Sequence, residues 1–169
     1  HAGPERAAGD GDLITYRAPL PHEWPIAQDL LCDLAPADGG LASPRNEALL
    51  QRLGSDPSGW LGVLLAVRED EVLGISTFTP DFSAYRAVVG TYIADLYVRP
   101  EGRGLHLGRG LIRATEAEAR RRWGAVFVSL NVHTGNDGGR GFYDAMGFVL
   151  REDCQYLILE GQALEALKE

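Results

Sequence analysis

Apolar residues recur at helical spacing in the amino-terminal third of this chain of 169 residues. In HEWPIAQDLLCDLAP the apolar positions from Trp24 to Leu34 share one side, which predicts a first helix. The segment SPRNEALLQRLG predicts a second, shorter helix that Gly54 ends. Ser43 and Ser55 are the candidates for its cap or turn residues.

Two further segments have helical patterns. From Leu107 to Trp123 the apolar residues share one face, and oppositely charged pairs four residues apart occupy the other. This pattern predicts a long third helix that ends near Gly124. The later segment GGRGFYDAM is rich in glycine, and it predicts a short fourth helix of low intrinsic stability.

Apolar runs of strand length lie between these helices. DLITYRA predicts a short edge strand, and WLGVLLAVREDEVLGISTFTP predicts a hairpin around the charged turn at 69–71. AVVGTYIADLYV and AVFVSLNV predict a long strand and a buried strand, and FVLRE with QYLILE predicts a closing hairpin. The resulting order, β-α-α-β-β-β-α-β-α-β-β, predicts a mixed α/β (α+β) domain around one sheet.

Composition favours one folded domain. Hydrophobic residues make up 45% of the chain, which is enough for a sizeable core, so we expect residues 12–169 to form a single domain. Residues 1–11 are small, charged and rich in glycine, and we expect a disordered tail or an expression remnant there. Neither a leader nor a membrane-length apolar run is visible, which predicts a soluble, cytoplasmic protein without a membrane partner.

Charge and side-chain chemistry exclude several classes of protein. A net charge of −8 argues against nucleic acid as a partner and would suit a cationic small molecule. Cys32 and Cys154 lack the spacing of a paired motif and are predicted to be reduced and structural. The four histidines are too far apart in sequence to place two ligands on one face, so we expect no metal.

The segment YVRPEGRGLHLGRGLI joins the long strand to the third helix and is rich in glycine and arginine. A strand, a glycine-rich loop and a helix in this order direct unpaired backbone N–H groups and the positive end of the helix dipole to one point. Such a point binds phosphate, and Arg99, Arg103 and Arg109 add charge. The four glycines that would open the backbone to a ligand are Gly102, Gly104, Gly108 and Gly110. The alternative is an exposed loop that needs several positive φ angles.

The glycine pattern matches neither the dinucleotide fingerprint nor the P-loop. It resembles motif A of the GNAT superfamily of acyl-CoA-dependent N-acyltransferases, in which Gln/Arg-x-x-Gly-x-Gly/Ala follows a strand. In LYVRPEGRGLHLG, Arg103 takes the first position of this motif and Gly108 the last. His106 stands where the family has its middle glycine, and we expect its side chain to point outward.

A second segment, NDGGRGFYDAMGF, resembles the family pattern Asn-x-x-Ala-x-x-Phe/Leu-Tyr-x-x-x-Gly-Phe. Gly139 replaces the usual alanine, and the residues in register are Asn136, Phe142, Tyr143, Gly147 and Phe148. The resemblance implies a GNAT-like fold with a mostly antiparallel twisted sheet, a splay between the fourth and fifth strands, and about four flanking helices. It also implies acetyl-CoA as co-substrate. The residues implied to bind it are Leu96, Tyr97, Val98, Arg103, Gly104, Leu105, His106, Leu107, Gly108, Arg109, Asn136 and Tyr143.

Acyl transfer to an amine requires a base, because an alkyl amine with a pKa of about 10.4 is mostly an ammonium at neutral pH. Asp95 is the candidate, since it is an acidic residue within an otherwise apolar strand that leads to the loop. The alternative for Asp95 is a solvated charge or a partner for an arginine. Some family members place a Glu at the neighbouring position, which is Ala94 here. Glu101, Tyr92 and His133 are further candidates.

The resemblance assigns the remaining steps to Tyr143 and to main-chain groups. Tyr143 would protonate or hydrogen-bond the leaving thiolate, and the alternative is an aromatic anchor between helix and sheet. A β-bulge implied around residues 96–98 would supply N–H groups to the oxyanion and to the pantetheine arm. Asn136 would hydrogen-bond the pantetheine or orient the strand end, and the alternative is a turn residue. Phe142 and Phe148 are expected in the core.

These features predict an acetyl-CoA-dependent N-acetyltransferase that acts on a primary amine of a small molecule or peptide by direct attack in a ternary complex. The alternative is a non-catalytic acyl-CoA-binding sensor or structural module, and another is a nucleotide-binding protein of a different kind. Asp29, Asp33 and Asp81 would attract a cationic acceptor or lie on the solvated surface. A homodimer through the last strands is a further expectation.

Overall fold

The computed structural model describes residues 13–37 and 45–168. The tail predicted at residues 1–11 therefore lies outside the described residues. Two compact units divide the chain, one over His1–Gly135 and the other over Asn136–Glu169.

One sheet organises the first unit. Its five described strands are β1 (Ile14–Arg17), β2 (Gly62–Arg68), β3 (Glu71–Ser83), β4 (Val88–Val98) and β5 (Val128–Leu130). They lie in sequence order across the sheet, antiparallel from β1 to β4, while β4 and β5 are parallel. The prediction of a mixed α/β fold with a mostly antiparallel sheet is confirmed.

Three helices flank this sheet, namely α1 (Trp24–Ala37), α2 (Glu47–Gly54) and α3 (Leu107–Trp123). All three match the predicted segments. Asn46 caps α2 by accepting the N–H of Leu49 at 3.1 Å, and Ser55 lies at its carboxyl end. The sequence prediction missed Asn46, although it is a preferred cap residue directly before the first helical Glu. Ser43 lies outside the described residues.

The core occupies both faces of the sheet. On one face Trp24, Ala27 and Leu30 of α1 form a buried cluster with apolar residues of β2 and β3. On the other, Phe78 of β3 packs edge-on against Trp123 of α3 with 5.9 Å between ring centroids. Strands β2 and β3 are buried on both faces because helices cover both, which accounts for their nearly continuous apolar sequences.

Strands β4 and β5 pair only over a short distance. Thr91, Tyr92 and Ile93 are in register with residues 128–130, and β4 then continues to Val98 beside β3. This arrangement confirms the predicted splay between the fourth and fifth strands. One edge of β4 beyond Ile93 is left without a partner strand among the described residues.

The second unit contains α4 (Asp137–Met146) and α5 (Gly161–Glu165). Helix α4 ends at Gly147, whose φ of +94° is the left-handed conformation that favours glycine at this position. The predicted closing hairpin is wrong, because the structure assigns no strand to residues 148–160. Tyr156 and Leu157 are exposed there by 76% and 86%. An apolar run supplies strand propensity, but a strand forms only where a neighbouring backbone completes its hydrogen bonds.

None of the helices in the described ranges is long and apolar enough to cross a membrane.

Candidate functional site

The loop between β4 and α3 begins with a single 3-10 turn, Pro100–Gly102. Gly104 follows with a φ of +81° and His106 with a φ of +57°. Left-handed backbone costs a non-glycine residue about 1–2 kcal/mol, so His106 occupies a strained conformation at the position where glycine would be relaxed. The His106 side chain is exposed.

Helix α3 begins directly after this residue. Its first helical hydrogen bond runs from the N–H of Gly110 to the carbonyl of His106 at 3.1 Å, and no side chain caps the helix. The N–H groups of the first turn therefore have no helical acceptor, and the positive end of the helix dipole is concentrated there. Arg103 and Arg109 are exposed beside this turn, and neither forms an ion pair with a described residue. This arrangement suits an anionic ligand.

Two of the four glycines in the segment from the loop to the first turns of α3 have a role in packing. A Cβ on Gly102 would lie 2.7 Å from Cδ1 of Leu107, and one on Gly110 would lie 1.8 Å from the hydroxyl oxygen of Tyr16. These glycines let α3 approach the sheet closely. The sequence analysis missed this role because the partner of Gly110 lies on β1, far away in sequence.

Arg99 differs from Arg103 and Arg109 in its contacts. Its backbone N–H donates to the carbonyl of Leu73 at 2.8 Å, and its guanidinium donates to the carbonyl of Val72 at 3.1 Å. Arg99 therefore fastens the end of β4 to β3. Arg99 keeps its positive charge, but its guanidinium is directed to β3, and the exposed positive charge beside the loop comes from Arg103 and Arg109.

Strand β4 contains a β-bulge. Phe78 is in register with Ile93, but Thr77 is in register with Asp95, so Ala94 is an extra residue in β4. The bulge implied around residues 96–98 was therefore placed too far along the strand. Residues 96–98 pair regularly with β3, and the interruption falls where the pairing with β5 ends.

The bulge determines the direction of Asp95. Side chains alternate across a strand, so one additional residue moves all that follow to the opposite face. Asp95 lies directly opposite Thr77, whose hydroxyl donates to Oδ2 of the carboxylate. Thr77 is 3% exposed and Asp95 is partly buried. The carboxylate is thus held on the face of the sheet that α1 covers further along.

Other candidate titratable residues occupy varied environments. The hydroxyl of Tyr92 accepts a hydrogen bond from the amide of Asn131 at 3.2 Å. Glu101 and His133 are exposed. Asp81 accepts a hydrogen bond from the hydroxyl of Ser129 at 2.7 Å.

The two acidic candidates on α1 lie at its surface. Asp29 forms an ion pair with Arg45 at 2.6 Å, and Asp33 is exposed. Over the described ranges there is no group of three or more His, Cys, Asp or Glu side chains that could hold a metal ion.

In the second unit, Asn136 caps α4 and its side chain accepts the N–H of Gly139 at 2.9 Å. A Cβ on Gly139 would lie 2.8 Å from the Asn136 amide nitrogen, so the smaller residue makes room for this cap. Asn136 therefore has a local role at the start of α4, as the interpretation as a turn residue predicted, and its contact with pantetheine stays a prediction.

Tyr143 of α4 is half-buried between two aromatic rings. The centroids of Phe142 and Phe148 lie 5.2 Å and 5.5 Å from that of Tyr143, both in edge-on geometry. These contacts fix the direction of the phenol. Phe142 is itself 36% exposed, so its predicted place in the core is wrong, because it lies at the surface of the short helix.

The comparison with known families supports the resemblance that both glycine-containing segments indicated. The model of the Acetyltransferase (GNAT) family matches residues 24–148, which is well over half of the chain. The chain belongs to the GNAT acetyltransferase family. The two glycine-containing segments fall within the matched range, as do all the residues implied to bind acetyl-CoA. No curated protein sequence matches the chain.

Solved structures share the GNAT fold over almost the whole chain. An integron cassette protein from the mobile metagenome of V. cholerae is similar with a TM-score of 0.73 and 23% identity, covering 92% of this chain and 98% of that one. An aminoglycoside acetyltransferase from an uncultured soil metagenomic sample, solved with sisomicin, has a TM-score of 0.70 and 19% identity, covering 90% and 98%. A ribosomal-protein-alanine N-acetyltransferase from Brucella melitensis biovar Abortus 2308 has a TM-score of 0.67 and 17% identity, covering 88% and 100%. At these identities the likeness shows the fold alone.

Proposed function

We propose that this GNAT protein is an N-acetyltransferase that moves an acetyl group from acetyl-CoA to a primary amine by direct attack in a ternary complex. The acceptor is a small molecule or a peptide. The observation that carries this proposal is the uncapped amino terminus of α3, with left-handed residues before it and two exposed arginines beside it. The bulge that turns Asp95 to the Thr77 face of the sheet also supplies a carboxylate that could accept the amine proton.

The residues of the loop fit the phosphates of coenzyme A. The N–H groups of Leu107, Gly108 and Arg109 have no acceptor within the helix, and a pyrophosphate supplies oxygen acceptors for them. Arg103 and Arg109 would neutralise its charge through charge-assisted hydrogen bonds. The backbone of Gly104, Leu105 and His106 would follow the phosphates, since the left-handed turns at Gly104 and His106 shape this loop.

The pantetheine arm would bind along β4. Strand β4 continues from Asp95 to Val98 without pairing to β5, so one edge of the backbone is available to an extended ligand that pairs like a strand. Leu96, Tyr97 and Val98 would contribute main-chain groups there, and N–H groups near the bulge would stabilise the oxyanion. Acetyl-CoA supplies an activated acyl group as a thioester when it is bound.

Asp95 is assigned the role of general base. The acceptor arrives mainly as an ammonium ion, and loss of one N–H proton to the carboxylate, directly or through water, gives the neutral nucleophile. The hydrogen bond from Thr77 fixes the carboxylate on one face of the sheet. The carboxylate also offers negative charge to the cationic acceptor.

Tyr143 is assigned the role of proton donor to the leaving thiolate, by resemblance to the family motif. The edge-on contacts with Phe142 and Phe148 support this role, because they limit the phenol to few orientations. Asn136 would support the same segment through its cap on α4.

The test is release of free thiol from acetyl-CoA over a panel of primary amines that includes polyamines, aminoglycosides, amino acids and peptides. Wild-type protein, Tyr143→Phe and Asp95→Asn are compared, with Tyr156→Phe as a matched control at an exposed tyrosine. We expect the first two variants to lose about 100-fold or more in kcat, the typical contribution of a general acid or base, and the control to keep it.

This assay, together with calorimetric titration with acetyl-CoA, separates the proposal from an acyl-CoA sensor. A sensor would bind acetyl-CoA and release no thiol with any amine. Turnover that is equal in the wild type and Tyr143→Phe would remove Tyr143 from the mechanism. Absence of acetyl-CoA binding would contradict the proposal as a whole.

A further inference from the structure

Thr77 on β3 is buried directly opposite Asp95, and its hydroxyl donates to the Asp95 carboxylate. We propose that Thr77 is the residue that positions Asp95 for proton transfer. This inference rests on the proposed function, because it requires Asp95 to act as the base.

The bulge is what brings these two residues together. If β4 lacked the extra residue, the pair Phe78 and Ile93 would be followed by Thr77 opposite Ala94. Asp95 would then lie opposite Ser76, on the face that packs against α3. Ser76 is fully buried there and shares a hydrogen bond of 2.9 Å with Thr115. The bulge thus removes a carboxylate from the core and places it beside a hydroxyl donor.

Thr77 is itself held in place, which distinguishes it from a surface hydroxyl. It lies on a central strand that pairs on both sides, with Val63 of β2 and Asp95 of β4. A β-branched side chain on a strand has few χ1 rotamers, so the direction of the hydroxyl is largely determined by the backbone. Because the donor is fixed, the Asp95 carboxylate has one preferred rotamer before the reaction begins. No further side-chain entropy is then lost when it accepts the proton.

The hydrogen bond also affects the charge of Asp95. A hydroxyl that donates to a carboxylate favours its ionised form, and the ionised form is the one that accepts a proton. Other titratable groups on this face of the sheet are Asp81 of β3 and Tyr92 and Tyr97 of β4, and the titratable groups of α1 are Asp29, Cys32 and Asp33. A substitution at Thr77 changes none of these groups. A change in the pH profile or in the Asp95 titration therefore reports on the pair Thr77 and Asp95.

The experiment compares Thr77→Val, which keeps the shape and removes the hydroxyl, with Thr77→Ser, which keeps the hydroxyl. Thr115→Val is the matched control, because it removes another buried threonine hydroxyl on the opposite face of the sheet. The readouts are the pH profile of kcat/KM with the best amine of the panel and the titration of the Asp95 carboxyl carbon by NMR in the resting protein. Thermal unfolding shows which variants are folded.

We expect Thr77→Val to lower kcat about tenfold and to move both the acidic limb of the profile and the Asp95 titration midpoint to higher pH by about one unit. Thr77→Ser should restore most of both, and Thr115→Val should change neither. A Thr77→Val protein with an unchanged profile and midpoint would overturn the inference. A wild type without turnover would overturn the proposed function and with it the catalytic role, whereas the NMR midpoint would still show whether the hydrogen bond forms.

Discussion

Replacement of Glu23 by Gln tests how the first unit is held at the entrance to α1. The carboxylate of Glu23 accepts two hydrogen bonds from Arg17, at 2.7 and 2.8 Å, and one from the N–H of Leu20 at 2.7 Å. These contacts join the end of β1 to the turn before α1. Glu23 is 5% exposed, so its charge depends on these partners.

The size of the effect follows from the pKa. Hydrogen bonding from Arg17, opposed by burial and assisted by the N–H of Leu20, holds the pKa of Glu23 at about 2 instead of 4.5. At 1.36 kcal/mol per pH unit this difference corresponds to about 3 kcal/mol. Because the Arg17 side chain is 33% exposed and solvent screens the pair, we expect about 2 kcal/mol in the measured free energy of unfolding.

The pH dependence has a definite sign. A carboxyl whose pKa is lowered by folding contributes its full stabilisation above its unfolded pKa and loses it as the pH falls toward the folded value. The difference in unfolding free energy between the wild type and Glu23→Gln should therefore be constant above about pH 5.5. It should begin to shrink as the pH nears 4.5 and continue to shrink down to about pH 2.

Urea unfolding at several pH values measures this difference. Asp29→Asn is the control, because the ion pair of Asp29 with Arg45 is about half exposed and we expect no measurable change on its loss. Equal stability of the wild type and Glu23→Gln at pH 7, or a difference that persists unchanged at pH 3, would show that these hydrogen bonds do not stabilise the fold through the Glu23 charge.

Two further substitutions test the loop and α3. Gly110→Ala should lower the free energy of unfolding by about 2 kcal/mol, because the new Cβ would lie 1.8 Å from the Tyr16 hydroxyl oxygen. Gly141→Ala is the control, because its Cβ would enter open space, and it should stabilise α4. Equal effects of the two substitutions in urea unfolding would contradict the packing role of Gly110. His106→Gly should raise stability by about 0.5 kcal/mol, since the left-handed strain at a φ of +57° exceeds the entropy that glycine adds to the unfolded chain. His106→Ala keeps that strain and should give no gain, so a destabilised His106→Gly would show that the histidine side chain makes a stabilising contact.

Much of the fold could be predicted because local signals and tertiary structure agree. The pattern from Leu107 to Trp123 gave α3 its correct bounds, with Gly124 as its left-handed end. The predicted strand QYLILE, residues 155–160, is absent, because its apolar residues do not indicate which backbone would pair with it. Strand pairing is a property of two segments, and sequence periodicity describes one.

The sequence allowed residues of the candidate site to be proposed, but not their geometry. Arg103 and Gly104 were proposed from the order of strand, loop and helix and from the resemblance to motif A, and the structure places both between β4 and α3. The bulge at Ala94 was not located, because it appears only in the register between β3 and β4. Thr77 was missed for the same reason, since it lies on β3, 18 residues from Asp95 in sequence, and meets it only through the pairing of the two strands.

Calorimetric titration with acetyl-CoA measures whether the amino terminus of α3 binds the phosphates of this co-substrate, as we propose. The double variant Arg103→Ala/Arg109→Ala is compared with the wild type, and Arg52→Ala on α2 is the control at an exposed arginine outside the loop. We predict that the wild type and Arg52→Ala bind equally and that the double variant binds at least about 100-fold more weakly, from the loss of two charge-assisted contacts. Equal binding by the double variant, or no binding by the wild type, would contradict the account.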